Sequence, residues 1–114
     1  MKILYANARS LLPKIDELRA VVYSDHPDIV CVVETWLSEE ISNDEIFIEG
    51  YACFRHDRNR QGGGVCIYTS DNLNEVSNMQ LQINANLEFL LVSFVNGTEL
   101  TTVGCFYRPP STPI

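Results

Sequence analysis

The chain has 114 residues, 46% of them hydrophobic and 20% charged, a composition and length that fit one globular domain and exclude two. Eight Lys and Arg against 15 Asp and Glu give a net charge of -7, so binding to a polyanion requires a local basic patch rather than the overall field of the protein. No apolar run approaches the ~20 residues that span a bilayer, and Asn7 and Arg9 interrupt the apolar start before a signal-peptide core can form, so an intracellular protein without a membrane partner is expected.

Ile3 to Ala6 reads as a buried strand that stops at a polar cluster, Asn7-Ala8-Arg9-Ser10. Apolar residues at 11, 12, 15, 18, 21 and 22 then form one stripe, with Lys14, Asp16, Glu17 and Arg19 largely away from it, which predicts an amphipathic helix from Leu11 to Tyr23. Ser10 is placed to cap this helix, and Pro13, tolerated only in the first turn, sets its start near Leu11 or Leu12. Asp25-His26-Pro27-Asp28 ends it, because the residue before a proline is pushed out of helical geometry. Ile29 to Val33 is continuously apolar rather than alternating, the pattern of a strand covered on both faces. Strand, helix and strand at this spacing imply a right-handed crossover within one sheet.

The acidic segment Ser38 to Glu45 reads as a surface loop or helical turn, and Ile46–Ile48 and Tyr51–Phe54 as short extended pieces separated by Gly50. Residues 55–64 form a flexible basic loop, Val65 to Thr69 a strand, and Asp71 to Asn74 a turn. Leu87–Val95 and Glu99–Tyr107 flank Asn96-Gly97, so they are expected to form an antiparallel hairpin. A type I′ turn accounts for Asn96-Gly97-Thr98 better than the glycosylation sequon it also matches. Cys31, Cys53, Cys66 and Cys105 form no CxxC pair and lie among strand-forming neighbours, which predicts buried, reduced thiols.

Three polar residues fall at the ends of predicted core strands: Asn7, Glu34 and Tyr107. Strand ends are where a rigid sheet presents side chains for chemistry. Glu88 alternates with apolar neighbours and reads as part of a surface face or as a structural ion pair rather than a metal ligand. Trp36 suits either core packing or stacking on a base. Arg55, Arg58 and Arg60 place three guanidinium groups within six residues of a glycine-rich loop, a set suited to phosphate-backbone contacts or to simple solvation.

Four blocks in order, Asn7-Ala8-Arg9-Ser10-Leu11, Pro27 through Leu37 with Glu34-Thr35-Trp36, Gly62 through Tyr68, and Phe106-Tyr107-Arg108-Pro109-Pro110, resemble the endonuclease/exonuclease/phosphatase superfamily. The Asn-Ala-Arg-Ser-Leu opening, the Glu-Thr-Trp-Leu block and the Tyr-Arg-Pro-Pro-Ser ending look most like the apurinic-type endonuclease domain of LINE-like, non-LTR retrotransposons. The resemblance implies an α/β (α+β) chain, the N-terminal half of a DNase I-like four-layered α/β sandwich, with a mixed sheet and a flanking helix. It also implies a function, Mg²⁺-dependent hydrolysis of a DNA phosphodiester, with Mn²⁺ as the alternative ion. Glu34 matches the family's metal-ligand glutamate, Asn7 the asparagine beside that metal, and Tyr107 the tyrosine whose hydroxyl faces the phosphate. These residue types suit the chemistry: a hard cation neutralises phosphoryl charge, and neutral amide and phenol groups orient and stabilise without adding charge.

The family's domain is about twice as long as this chain. Its later Asp-x-Asn pair and Ser-Asp-His motif do not occur in residues 1–114, and neither His26 nor His56 matches its catalytic histidine. The chain is therefore expected to be a partial domain, truncated on its C-terminal side, nearly inert alone and exposing an apolar sheet face. The expected partners are DNA, the other half of the domain and a reverse-transcriptase domain, with a nuclear site of action and no obligate oligomer. A phosphatase or repair nuclease of the same superfamily, or a non-catalytic remnant that binds nucleic acid or protein, are the alternatives.

Overall fold

Strands β1 (Ile3–Asn7) and β2 (Ile29–Val33) lie parallel, with Ile3 opposite Ile29 and Asn7 opposite Val33, and helix α1 (Ile15–Asp25) connects them. The computed structural model describes residues 1–58, 62–79 and 88–108. β3 (Tyr51–His56) and β4 (Val65–Ser70) complete a four-stranded mixed sheet in the order β1-β2-β4-β3. β5 (Asn74–Met79), β6 (Glu88–Asn96) and β7 (Glu99–Tyr107) form a second, antiparallel sheet.

All five residues of β2 are buried, as the unbroken apolar run required. Alternate residues of β2 feed two cores. Val30 and Val32 face α1 through Ile15, Leu18 and Val22, together with Leu37, Ile41, Ile46 and Ile48 from the following segment. Ile29, Cys31 and Val33 face the second sheet through Leu90, Val92 and Phe94. Among the described residues the layers are therefore helix, sheet, sheet, three of the four that the resemblance implies.

The helix begins later than the periodicity suggests. Pro13 lies in a 3₁₀ turn, Leu12–Lys14, and α1 starts at Ile15. Ser10 does not cap it; at φ 83° its N–H donates to the Glu34 carbonyl at 3.0 Å, so this loop is tied to the end of β2 instead. His26 closes the helix in the left-handed region, with its N–H donating to Val22 at 2.8 Å.

The acidic segment contains a 3₁₀ turn, Asn43–Ile46, held by a reciprocal capping box between Ser42 and Glu45. It is not wholly surface, because Ile41 and Ile46 enter the helix-side core. β3 runs on through Arg55 and His56, which the sequence pattern assigned to a loop. β5 is a strand where only a turn was expected at its start. Its residues are mostly polar and carry no alternation, and its order comes from pairing with β6.

The β6–β7 hairpin forms as the sequence indicates, but its two-residue loop is Gly97-Thr98, closed by Asn96 opposite Glu99. Gly97 has φ 67° and Thr98 is not in the positive region, the sign pattern of a type II′ rather than a type I′ turn. None of the four cysteines is in a disulfide; Cys31 and Cys105 meet between the sheets, and Cys53 and Cys66 meet on the helix side. No described helix is long and apolar enough to cross a membrane. β1, expected to be a buried strand, is instead an outer strand with no residue fully buried; it leaves Ile3 and Tyr5 uncovered, as β7 does Leu100 and Phe106, in keeping with an incomplete sandwich.

Tyr68 links the sheet to the segment that follows β2. It is fully buried, and its hydroxyl donates to the Ile46 carbonyl at 2.7 Å. Burial first, and then the neighbouring Cys66 and Cys53, raise its pKa far above the ordinary phenol value. Tyr68→Phe is expected to destabilise the fold by about 1–3 kcal/mol at neutral pH, the cost of stranding a buried carbonyl. Because the folded pKa is raised, the hydroxyl's contribution is fully present below about pH 10 and is lost as pH rises further. Denaturant melts followed by circular dichroism should show the gap between the two proteins constant from pH 7 to 9 and narrowing above pH 10.

Candidate functional site

Because β1 and β2 are parallel and Asn7 is the register partner of Val33, Asn7 and Glu34 stand at neighbouring carboxyl ends of the sheet. Both strands leave it through strained turns. Arg9, Ser10, Glu34 and Trp36 all have positive φ, at 45°, 83°, 54° and 53°, and the only other such non-glycine residue described is the helix cap His26. Strain of this kind persists only where the surroundings over-determine it, and it clusters at functional sites.

The surroundings here are backbone hydrogen bonds. Ala8 donates to Val33 at 2.9 Å, Ser10 to Glu34 at 3.0 Å and Leu11 to Thr35 at 2.9 Å, which stitches the two turns together. On the other side Thr35 donates to Gly64 at 3.3 Å and Trp36 to Gly63 at 2.9 Å. With the peptide groups thus engaged, the Glu34 side chain stands half-buried at the rim, and among the described residues no Lys, Arg or His forms an ion pair with it.

Tyr107 reaches this carboxylate from the second sheet. It is the last residue of β7, and its phenol stands beside the Glu34 carboxylate. Burial, followed by the Glu34 carboxylate beside it, holds the Tyr107 phenol above its ordinary pKa; Arg58 opposes the shift and Glu88 adds to it. The structure thus brings Glu34 and Tyr107 into contact from different sheets and sets Asn7 at the adjoining strand end.

The arginine set divides. Arg55 is not a loop residue available to phosphate: it sits on β3 and spends its guanidinium on Asp57 at 2.8 Å, on the Ile41 and Ser38 carbonyls at 2.7 and 3.0 Å, and on Asn43 at 2.9 Å. It is a clamp on the segment after β2. Arg58 pairs with Glu88 at 3.3 Å and donates to the Gly62 carbonyl at 3.1 Å, with 41% of its side chain exposed. Arg60 lies outside the described residues.

Glu88 is not on a surface face. Only 7% exposed, it forms the ion pair with Arg58 and accepts the Gly64 N–H at 2.6 Å. Its part in this site was not visible in the sequence, where it is one acidic residue between Leu87 and Phe89. Trp36 is half-buried with its indole Nε1 enclosed, and this atom, Thr35 Oγ1 and Ser38 Oγ have no hydrogen-bond partner among the described residues. That favours packing over an open stacking platform.

The described residues contain no cluster of three or more His, Cys, Asp or Glu side chains that could cage a metal. Glu34, a carboxylate without a described cationic partner, and Asn7, an amide at the adjoining strand end, are hard oxygen donors. They fit a cation such as Mg²⁺, which keeps most of its water and takes one or two carboxylates.

The model of the Endonuclease/Exonuclease/phosphatase family matches residues 4–113. No curated protein sequence matches the chain. Among solved structures, the AP endonuclease LMAP from Leishmania major superposes with a TM-score of 0.72 at 16% identity, covering 93% of this chain and 39% of that one. The endonuclease domain of TRAS1, a telomere-specific non-LTR retrotransposon, gives 0.66 at 18% identity, with 98% and 48% covered. The catalytic domain of Xenopus laevis APE2 gives 0.66 at 15%, with 96% and 45% covered. The chain thus spans less than half the length of each of these neighbours, which share its fold. With the family model matched over nearly the whole length and the two-sheet architecture in place, the chain belongs to the endonuclease/exonuclease/phosphatase family.

Proposed function

We propose that the chain is the N-terminal part of a Mg²⁺-dependent DNA endonuclease domain from a LINE-like retroelement, and that residues 1–114 alone do not turn over. The observation that carries this reading is the meeting of Glu34 and Tyr107 across two sheets, with Asn7 at the adjoining strand end. The likeness to the TRAS1 endonuclease domain supports the retroelement branch. In this reading Glu34 and Asn7 hold the cation, which when bound neutralises charge on the phosphodiester. Tyr107 keeps its proton through neutral pH, so its hydroxyl serves as a neutral donor toward the phosphate. Of the loop set Arg55, Arg58 and Arg60, Arg58 is described and exposed enough to face a phosphate backbone.

A second reading, a phosphatase or repair nuclease of the same family, is favoured by the likeness to NExo from Neisseria, described as a 3′ phosphatase. Sequencing the transcript across the codon for Ile114 separates the two. Continuation into an Asp-x-Asn pair, a Ser-Asp-His motif and a reverse transcriptase is the expected result, and its protein should nick supercoiled DNA in the presence of Mg²⁺. Metal-dependent nicking by purified residues 1–114 would overturn the proposal that this part is inert.

A further inference from the structure

Glu88 belongs to β6, at the start of the second sheet, yet its contacts are with the loop that leads into β4 of the first. Its Oε1 accepts the Gly64 N–H at 2.6 Å, the short distance typical of a charge-assisted bond, and its Oε2 faces Arg58 at 3.3 Å. Arg58 in turn holds the Gly62 carbonyl at 3.1 Å. A buried carboxylate is retained only where its charge is matched and its oxygens are engaged, and both conditions hold here. The carbonyls of Gly63 and Gly64, aligned by this anchor, accept the N–H groups of Trp36 and Thr35. Those two residues directly follow Glu34. On the opposite strand the register partner of Glu88 is Tyr107, whose phenol stands beside Glu34. One rung of the β6–β7 ladder therefore reaches the Glu34 turn twice, once through a side chain and once through the glycine loop.

The loop has no room for a side chain at Gly63 or Gly64. A methyl group on Gly63 would stand 2.7 Å from Glu88 Oε1 and 2.5 Å from Arg58 Nε, and one on Gly64 would overlap Thr35 Oγ1.

We propose that Glu88, charge-matched by Arg58, is a positioning residue: through the Gly64 amide and the Gly63 and Gly64 carbonyls it fixes the Glu34–Trp36 turn and so sets where the Glu34 carboxylate stands relative to Tyr107. Its consequence for cation affinity rests on the reading of Glu34 as a cation ligand; the placement of the turn does not. Glu88→Gln keeps an oxygen acceptor for Gly64, whereas Glu88→Ala removes it.

The test is amide NMR on the 114-residue chain and both variants, with Mn²⁺ as the paramagnetic probe. In the unaltered chain the Gly64, Thr35 and Trp36 amides should exchange slowly and at one common rate. Fast exchange at Thr35 and Trp36 overturns the proposal with no variant needed, so it stays decidable even where Glu88→Ala does not fold. Glu88→Ala should shift the Gly64, Thr35 and Trp36 resonances together and weaken Mn²⁺ broadening around Glu34 at least tenfold. Glu88→Gln should restore both, to within threefold in affinity. Unmoved resonances or affinity within twofold for Glu88→Ala, or a Glu88→Gln variant as impaired as Glu88→Ala, would refute the positioning role. Absence of Mn²⁺ broadening near Glu34 in the unaltered chain would refute the cation-ligand reading instead, and the exchange and shift data would still decide what Glu88 does.

Discussion

Glu34→Gln, made in the protein that carries the complete domain, is expected to lower Mg²⁺-dependent plasmid nicking by about 10²- to 10⁴-fold, the loss that follows when several kcal/mol of cation-mediated stabilisation is removed. Stability should change little, within about 0.5 kcal/mol, because the side chain is half-exposed and pairs with no cationic group described, while the strained turn is held by its backbone. A gel assay of supercoiled-to-nicked conversion beside a thermal melt separates the two effects. The same variant carries an internal control at Tyr107. With the Glu34 charge gone, the Tyr107 phenol should titrate at lower pH than in the unaltered protein, which a difference spectrum against Tyr107→Phe reads directly. Tyr107→Phe by itself should cost roughly 10²-fold in rate, the effect of losing one donor to developing charge. Since the two side chains touch, the double variant should lose less than the product of the single losses. A Glu34→Gln protein that nicks at the normal rate would refute the assignment of Glu34.

What the sequence disclosed and what it concealed divide along a physical line. α1 and β2 were legible because burial imposes a period or an unbroken apolar run: Ile29 to Val33, buried at every position, could hardly be read otherwise, whereas the apolar run of β1 marked a strand but not its burial, since β1 lies at the sheet edge with no residue fully buried. The β6–β7 hairpin was legible from a turn signal between two apolar runs, although Gly97-Thr98 rather than Asn96-Gly97 occupies the loop. β5 was not, since Asn74, Ser77 and Asn78 carry no strand pattern and owe their conformation to β6. At the site, Asn7, Glu34 and Tyr107 could be singled out because they terminate strands that were themselves predictable. The partners of the surrounding side chains could not. Arg55 looked like a loop cation because nothing local marks the carbonyls of Ser38 and Ile41 as its acceptors, 17 and 14 residues away. Glu88 read as a surface residue or a structural ion pair, and the ion pair forms, but its other partner was hidden because the Gly64 amide is 24 residues distant, in the loop that enters the other sheet. Long-range polar pairing leaves no period in the sequence, so it is the class of feature that only a structure supplies.

The glycine loop offers a way to measure how tightly that pairing is specified. Gly50 and Gly64 both have a positive φ, 87° and 89°, but different surroundings. A methyl group on Gly50 meets nothing within 4 Å, so Gly50→Ala carries only the strain of a left-handed alanine, about 1–2 kcal/mol. A methyl group on Gly64 carries the same strain and also overlaps Thr35 Oγ1, a side chain that is itself fully buried and has no space to withdraw into. Overpacking of this kind costs roughly a further 1–3 kcal/mol, so Gly64→Ala should destabilise by about 2–5 kcal/mol, a large share of the 5–15 kcal/mol that holds an ordinary domain. The difference between the two variants in denaturant melts reads chiefly the steric component, because both substitutions place an alanine at positive φ. The position of the clash matters as much as its size. Relief requires either Thr35 or the Gly64 peptide to move, and both lie on the path from Glu88 to the Glu34 turn. A Gly64→Ala protein that remains folded should therefore also lose cation affinity at Glu34, whereas Gly50→Ala, on the connection into β3, should retain it. Equal destabilisation by the two substitutions would mean that the loop around Gly64 yields easily, and that the Glu34 turn is held less firmly than its hydrogen bonds imply.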